Sequence, residues 1–263
     1  MRYIMESSDE TRRLLVQERT GNAREALLLS GLKPGDRVLD AGCGPGGITE
    51  TIAEVVGPTG QVTGLDLSEE RLAEARQINR RRPYVRFLQG DVRRTGLPDA
   101  AFDFTWCQFV LQYVADRPVA LQELVRVTRP GGKVVISEFD GFGLLNWPFP
   151  EALREWSQRF VEVVTRTTGF DVFVGRKIFT EMRRMGLGNV RVHLLPQYVI
   201  AGAADTTLMV DWETRFSTLE PVVAAALGGL ESYRAMCREY LQLLADPDAL
   251  KYSVLLVTEG TRP

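Results

Sequence analysis

Between Leu39 and Ile48 the chain reads Asp40-Ala-Gly42-Cys-Gly44-Pro-Gly46-Gly47, a carboxylate followed by a run of glycines. A short apolar run, Arg37–Asp40, leads into it and the helical pattern Ile48–Val56 follows, so the loop joins a strand to a helix. Gly42 permits the tight turn, and Gly44 lets the backbone approach a ligand with no Cβ in the way. Gly47 stands where a third glycine allows close helix–strand packing. Asp66 lies 19 residues beyond Gly47, at the end of the next strand pattern, where an acid accepts hydrogen bonds from ribose hydroxyls. Asp91, after Gly90, ends a third strand pattern and is placed to accept from an adenine amino group. A carboxylate at Asp40 is ill suited to a loop that holds a diphosphate, but it suits an ammonium or sulfonium group. Three strand-end acids around one glycine loop describe a site for an uncharged or cationic nucleoside.

The elements that carry these residues alternate. Strand patterns at Arg37–Asp40, Gln61–Leu67, Val85–Gln89, Phe102–Cys107 and Lys133–Glu138 are separated by helical patterns at Ile48–Val56, Ser68–Arg80 and Val119–Thr128. Ser68 caps its helix, with Glu69 and Glu70 in the first turn. Such alternation predicts an α/β fold, a parallel sheet covered on both faces. The rhythm changes after residue 140: helices at Glu151–Thr167 and Lys177–Met185, a strand at Asn189–Ile200, helix again over Asp205–Asp246, and a last strand at Tyr252–Glu259. Residues 9–29 also read as helix, with Gly21-Asn22 a point of division. The chain therefore divides into an N-terminal helical segment (1–30), the nucleoside-binding core (31–140), linker helices with a sixth strand (141–202), a helical insertion (203–250) and the last strand (251–263). These form one structural domain, and none of the additions is expected to carry a core of its own.

Val38-Leu-Asp-Ala-Gly-Cys-Gly-Pro-Gly-Gly47 resembles the first motif of the class I S-adenosylmethionine-dependent methyltransferases. Val62-Thr-Gly-Leu-Asp66-Leu-Ser68 is similar to their ribose motif and Gly90-Asp91-Val92 to their adenine motif. Phe102-Asp-Phe with Gln108–Tyr113 resembles the fourth-strand motif, and Arg129-Pro-Gly-Gly-Lys133 the turn before the fifth strand. The ordered set covers about residues 33–140. It implies a Rossmann-like, mostly parallel sheet of seven strands whose last strand inserts antiparallel, with the helical additions as lids. It also implies S-adenosylmethionine as cofactor and S-adenosylhomocysteine as product. By the same resemblance Gly42 and Gly44 line the methionine moiety, Asp66 binds the ribose and Leu67 packs on the adenine. Asp91 with the Val92 amide holds the adenine, and Gln108 sits beside the sulfonium. Many relatives carry His where this chain has Tyr113, so Tyr113 is a candidate catalytic residue without histidine-type proton transfer. Glu10, Arg13, Leu14 and Gln17 share one helix face, and with Tyr3 upstream they resemble the amino-terminal lid of bacterial small-molecule and natural-product methyltransferases. That resemblance brings Arg13 or Gln17 to the cofactor carboxylate and Tyr3 over the sulfonium.

A sulfonium already carries the reactivity, so the protein must chiefly bind, align and desolvate. A general base is needed only where the acceptor loses a proton. Glu138 and Asp140 follow the fifth strand, with Glu138 the first choice because some related enzymes have an acid there. The single histidine, His193, alternates with Val192 and Leu194 and points to the strand's other face. Trp147 and Tyr198 are the candidate substrate residues, while Trp156 and Phe160 read as core. An enclosed aromatic pocket predicts in-line methyl transfer to a small organic acceptor, a secondary metabolite, at O, N, C or S.

Composition narrows the field further. The chain has 263 residues, with 32 Lys+Arg against 34 Asp+Glu for a net charge of −2. That gives no general attraction to nucleic acid or an anionic membrane. Cys43, Cys107 and Cys237 form no C-x-x-C, so no disulfide framework or zinc site is expected, and one histidine leaves no basis for a His-rich metal centre. Neither an apolar stretch of roughly 18–20 residues nor a signal-type h-region is present, which predicts a cytoplasmic protein, a monomer or homodimer. Three other readings compete. A macromolecule methyltransferase is disfavoured by the charge and by the lack of Asn-Pro-Pro-Tyr after the fourth strand. An enzyme of the same fold would catalyse a cyclisation or rearrangement. An NAD oxidoreductase is disfavoured by Asp40 and Asp91.

Overall fold

The computed structural model describes residues 22–141 and 143–263. Seven strands, β1 (Arg37–Ala41), β2 (Gln61–Asp66), β3 (Val85–Gln89), β4 (Phe102–Gln108), β5 (Thr128–Phe139), β6 (Gly188–Ala201) and β7 (Leu250–Thr261), form one sheet. Their order is β3-β2-β1-β4-β5-β7-β6. Pairs among β1 to β5 are parallel, and β7 runs antiparallel between β5 and β6. The chain builds outward from β1 to β3, then crosses back to lay β4 against β1. The carboxyl ends of β1 and β4 therefore flank a topological switch point, where open sheets of this kind bind ligands.

Eight helices accompany the sheet among the described residues: α1 (Ala23–Leu29), α2 (Gly47–Val56), α3 (Glu69–Ile78), α4 (Arg117–Val127), α5 (Glu151–Thr168), α6 (Gly175–Arg184), α7 (Thr206–Val223) and α8 (Leu230–Ala245). Burial alternates along the strands and so fills both faces. Val38, Val62, Phe104 and Trp106 pack with Ile52 and Val56 of α2 on one side. Leu39, Leu65 and Ile136 pack with Leu121 and Leu124 of α4 and Ile178 of α6 on the other. The Ser68 hydroxyl caps α3 by accepting from the Arg71 amide.

Two expectations change. The fifth strand starts earlier than Lys133, because Thr128 already pairs with Phe102 and the Arg129-Pro-Gly-Gly stretch is taken up as an irregularity before Lys133 pairs with Phe104. The helical additions also do have a core. Leu153 and Val164 of α5, Trp212 and Phe216 of α7, and Tyr233 and Leu244 of α8 form a third apolar cluster. These helices are long and aromatic enough to bury one another. No helix of the described residues is long and apolar enough to cross a membrane.

Candidate active site

The glycine loop emerges from β1 at the switch point. The Gly42 and Cys43 amides both donate to the Leu65 carbonyl at 2.7 and 3.0 Å, so β2 holds the start of the loop. Gly42 has φ +78°, and a Cβ there would lie 2.2 Å from Val110 Cγ2. The residue is glycine for two reasons, backbone conformation and the side chain pressed on it. The close approach expected at Gly47 falls at Gly46 instead, where a Cβ would lie 2.9 Å from the Ala75 Cα of α3.

Two acids organise this loop from opposite sides. Asp66 accepts from the Gly44 amide and the Ser68 amide, both at 2.9 Å, one on each carboxylate oxygen. A carboxylate has roughly four acceptor positions, so Asp66 keeps capacity for ribose hydroxyls. Leu67 beside it is 58% exposed, an apolar face at the carboxyl edge of the sheet. Asp40 is turned the other way. It is buried and accepts from the Thr49 hydroxyl of α2 at 2.6 Å. Burial pushes its pKa up to about 7, against the pull of the Thr49 bond and with a further push from Asp66. One carboxylate oxygen of Asp40, the residue expected beside the cofactor, is thus committed to the start of α2. Asp91 also differs: its carboxylate pairs with the Arg93 guanidinium and accepts the Arg93 amide at 2.8 Å. Those bonds hold its pKa below the usual range. Val92 is buried beside it.

After β4 the chain turns sharply through Gln108, Phe109 (φ +57°) and Val110 into a single 3-10 turn, Leu111–Tyr113. Glu138, near the end of β5, is fully buried, and its Oε1 accepts from the Val110 amide at 3.0 Å and the Leu111 amide at 2.7 Å. Its Oε2 has no partner among the described residues. Burial pushes the Glu138 pKa up to about 8, opposed by the amides of Leu111, Val110 and Gln112. The alternative base, Asp140, is held by both arms of the Arg176 guanidinium at 2.8 and 2.9 Å. His193 contacts Glu259 of β7 at 3.1 Å, and Glu259 also pairs with Lys133 of β5, away from the glycine loop.

Beyond this turn lies a cavity of about 80 Å³. Its walls include Tyr113, Trp156, Phe160, Phe170, Trp212 and Tyr240, with Ser157 and Arg215 as polar members. Trp156 and Phe160, which the helical stripe assigned to core, thus line a space. The stripe itself carried the signal, since one helix face serves equally to pack and to enclose. Trp147 is 69% exposed and outside that wall; its backbone instead pairs with Leu250 at 2.7 and 2.8 Å. Tyr198 lies behind the wall, beside Trp212 and Arg215, and burial pushes its pKa up to about 12. Tyr3, Arg13 and Gln17 lie outside the described residues.

Residues 39–136 match the methyltransferase domain family. That stretch carries a methyltransferase domain, and the fold is that of S-adenosylmethionine-dependent methyltransferases. A demethylmenaquinone methyltransferase of Staphylococcus aureus is 39% identical over 108 residues, 41% of this chain and 45% of that one. The chain spans less than half the length of the curated relatives it matches. Among solved structures, a methyltransferase-like protein of Bacillus halodurans superposes with TM-score 0.62 at 16% identity, over 92% of this chain and 99% of that one. The 4+2 cyclase SpnF superposes with TM-score 0.57 at 20% identity, over 94% and 81%. S-adenosylmethionine is the cofactor of this domain class. The residues fit it: a glycine-lined backbone, acceptor capacity on Asp66 and an exposed apolar face at Leu67 meet at one edge of the methyltransferase domain.

Proposed function

We propose that the protein transfers a methyl group from S-adenosylmethionine to a small, largely apolar organic acceptor, a secondary metabolite, held in the aromatic cavity. One observation carries this reading. The short turn after β4 presses Val110 onto Gly42 of the glycine loop and presents Tyr113 to the cavity wall, so one rigid segment borders both spaces. The bound cofactor supplies an electrophilic methyl group; everything else is positioning. Gly42 and Gly44 form the bed for the methionine end, with Gln108 at its border. Asp66 takes the ribose and Leu67 the adenine, with Asp91 and the Val92 amide at the adenine edge once Arg93 yields. Holding nucleophile and methyl carbon in line is worth up to roughly 7–11 kcal/mol in favourable cases, and the aromatic wall excludes water and favours a cationic sulfonium.

The test is a screen of small-molecule extracts and aromatic acceptors with S-adenosylmethionine, reading S-adenosylhomocysteine. Turnover with a small acceptor supports the proposal. Turnover only with RNA or protein overturns it, and so does calorimetric binding of NAD without S-adenosylmethionine. Conversion of an acceptor without S-adenosylhomocysteine would point to a rearrangement or cyclisation on the same fold.

A further inference from the structure

We propose that Glu138 is a positioning residue, whose buried carboxyl gathers the amides of the turn after β4 and so holds the cofactor side and the acceptor side of the site in one geometry. The proposal rests on the small-acceptor reading of the cavity. The carboxyl sits at the end of β5, while the groups it holds belong to the segment after β4, and the two strands are paired up to Gln108 and Ser137. Past that pair one backbone bond, from the Phe109 amide to the Ser137 carbonyl at 3.1 Å, reaches the start of the turn, and no strand pairing holds the residues that follow. Instead Oε1 receives Val110 and Leu111 amides, and the Gln112 amide also points toward the carboxyl. Successive N–H groups gathered on one carboxyl make a nest, an arrangement that normally holds an anion. Here a side chain of the protein fills it.

The turn is further tied on its outer side. The Phe109 carbonyl accepts from the Gln112 side chain at 3.1 Å, and the Gln112 carbonyl accepts from the Asp171 amide at 2.9 Å. Asp171 in turn pairs with Arg117 and Lys177. Phe109 stacks on Phe139, the residue after Glu138, with centroids 4.2 Å apart. The chain thus runs from Gly42 through Val110 to Glu138, and from Glu138 through Leu111 to Tyr113. A base would need an oxygen open to the acceptor. Glu138 is fully buried, and Oε1 is engaged twice.

The experiment compares wild type with Glu138→Gln, Glu138→Asp and Glu138→Ala. Four quantities are read: calorimetric affinity for S-adenosylhomocysteine, affinity for the apolar dye anilinonaphthalene sulfonate, amide hydrogen exchange of the peptide covering 108–113, and turnover of an acceptor found in the screen above. Gln keeps a carbonyl that accepts from the same amides and should restore most of both affinities and the slow exchange. Asp is one methylene short and Ala offers no acceptor. Both should speed exchange at 108–113 and weaken both ligands together, by about tenfold for Ala, the loss expected when roughly one buried hydrogen-bond interaction goes. If Ala does not fold, the Asp and Gln comparison carries the same decision. Variants that shift thermal stability but leave exchange at 108–113 and both affinities unchanged would overturn the proposal. So would a Gln variant that binds both ligands yet loses all turnover, since that pattern belongs to a base. If the wild type binds S-adenosylhomocysteine but not the dye, the small-acceptor reading fails, while the cofactor affinity and exchange at 108–113 still decide the role of Glu138.

Discussion

At Gly42 two independent constraints fall on one residue, a left-handed φ and the Val110 methyl that a Cβ would meet at 2.2 Å. They can be separated experimentally. Gly42→Ala should cost about 1–3 kcal/mol, as strain in a left-handed position with a forced shift does, and should weaken S-adenosylhomocysteine binding. Adding Val110→Ala should recover part of the affinity by relieving the contact, leaving the φ strain in place. A double-mutant cycle by urea denaturation and calorimetry measures both parts. Full additivity would show that the contact is not shared. The places of Gly42, Gly44 and Asp66 at the loop were legible from spacing alone, since loop and helix start are contiguous in the chain, while the close-packed glycine proved to be Gly46. The sense in which Asp40 points was not legible. A residue ending a buried strand can face loop or helix, and Thr49 decided it.

At the scale of elements, the insertion α7–α8 leaves the sheet after β6 and returns at β7. Lys251, fully buried, closes it by donating to the Gly202 and Asp246 carbonyls, both at 2.6 Å. Burial pushes the Lys251 pKa down, offset by Asp246. Lys251→Met keeps the apolar stem and removes the donor, leaving two carbonyls without it. The expected cost is about 1–3 kcal/mol, with faster hydrogen exchange confined to residues 202–206 and 246–250. Unchanged exchange there would show that the carbonyls find other partners. Helix α5 shows what periodicity can and cannot say. Its apolar stripe at Leu153, Trp156, Phe160 and Val164 was readable, and so was the helix, to within a residue of Thr168. Whether Trp156 packs or lines a cavity depends on where α7 and α8 come to rest, which no local pattern encodes.

Taken as a whole, the sheet centre buries two acids whose folded pKa values lie above the usual carboxylate range, Asp40 at about 7 and Glu138 at about 8. Asp66 and the Cys107 thiol face Asp40, while Cys107 and Arg117 face Glu138. A raised acid pKa stabilises the fold fully below the unfolded value and loses that stabilisation as pH climbs through the folded value. Stability should therefore fall as pH rises from about 4 to 8. Asp40→Asn should flatten the fall up to about pH 7 and Glu138→Gln all of it up to about pH 8, read as urea midpoints from pH 5 to 9. A midpoint that rises over this interval in the wild type would contradict the assignment.

Element order, the parallel core and the glycine loop with Asp66 were determined by the sequence itself, because each rests on contacts within one strand–loop–helix unit. The antiparallel seventh strand followed from the motif order and is present between β5 and β6. Only the tertiary structure decided the rest. Glu138 meets amides 27 and 28 residues away, and the cavity joins Tyr113 to helices that begin near residues 151, 206 and 230. Trp147, aromatic and in a glycine–proline loop, faces out because its backbone is claimed by Leu250. Spacing along a chain reports neighbours in one element. Which face of that element meets another is settled when long-range burial selects among packings that local propensity leaves equal.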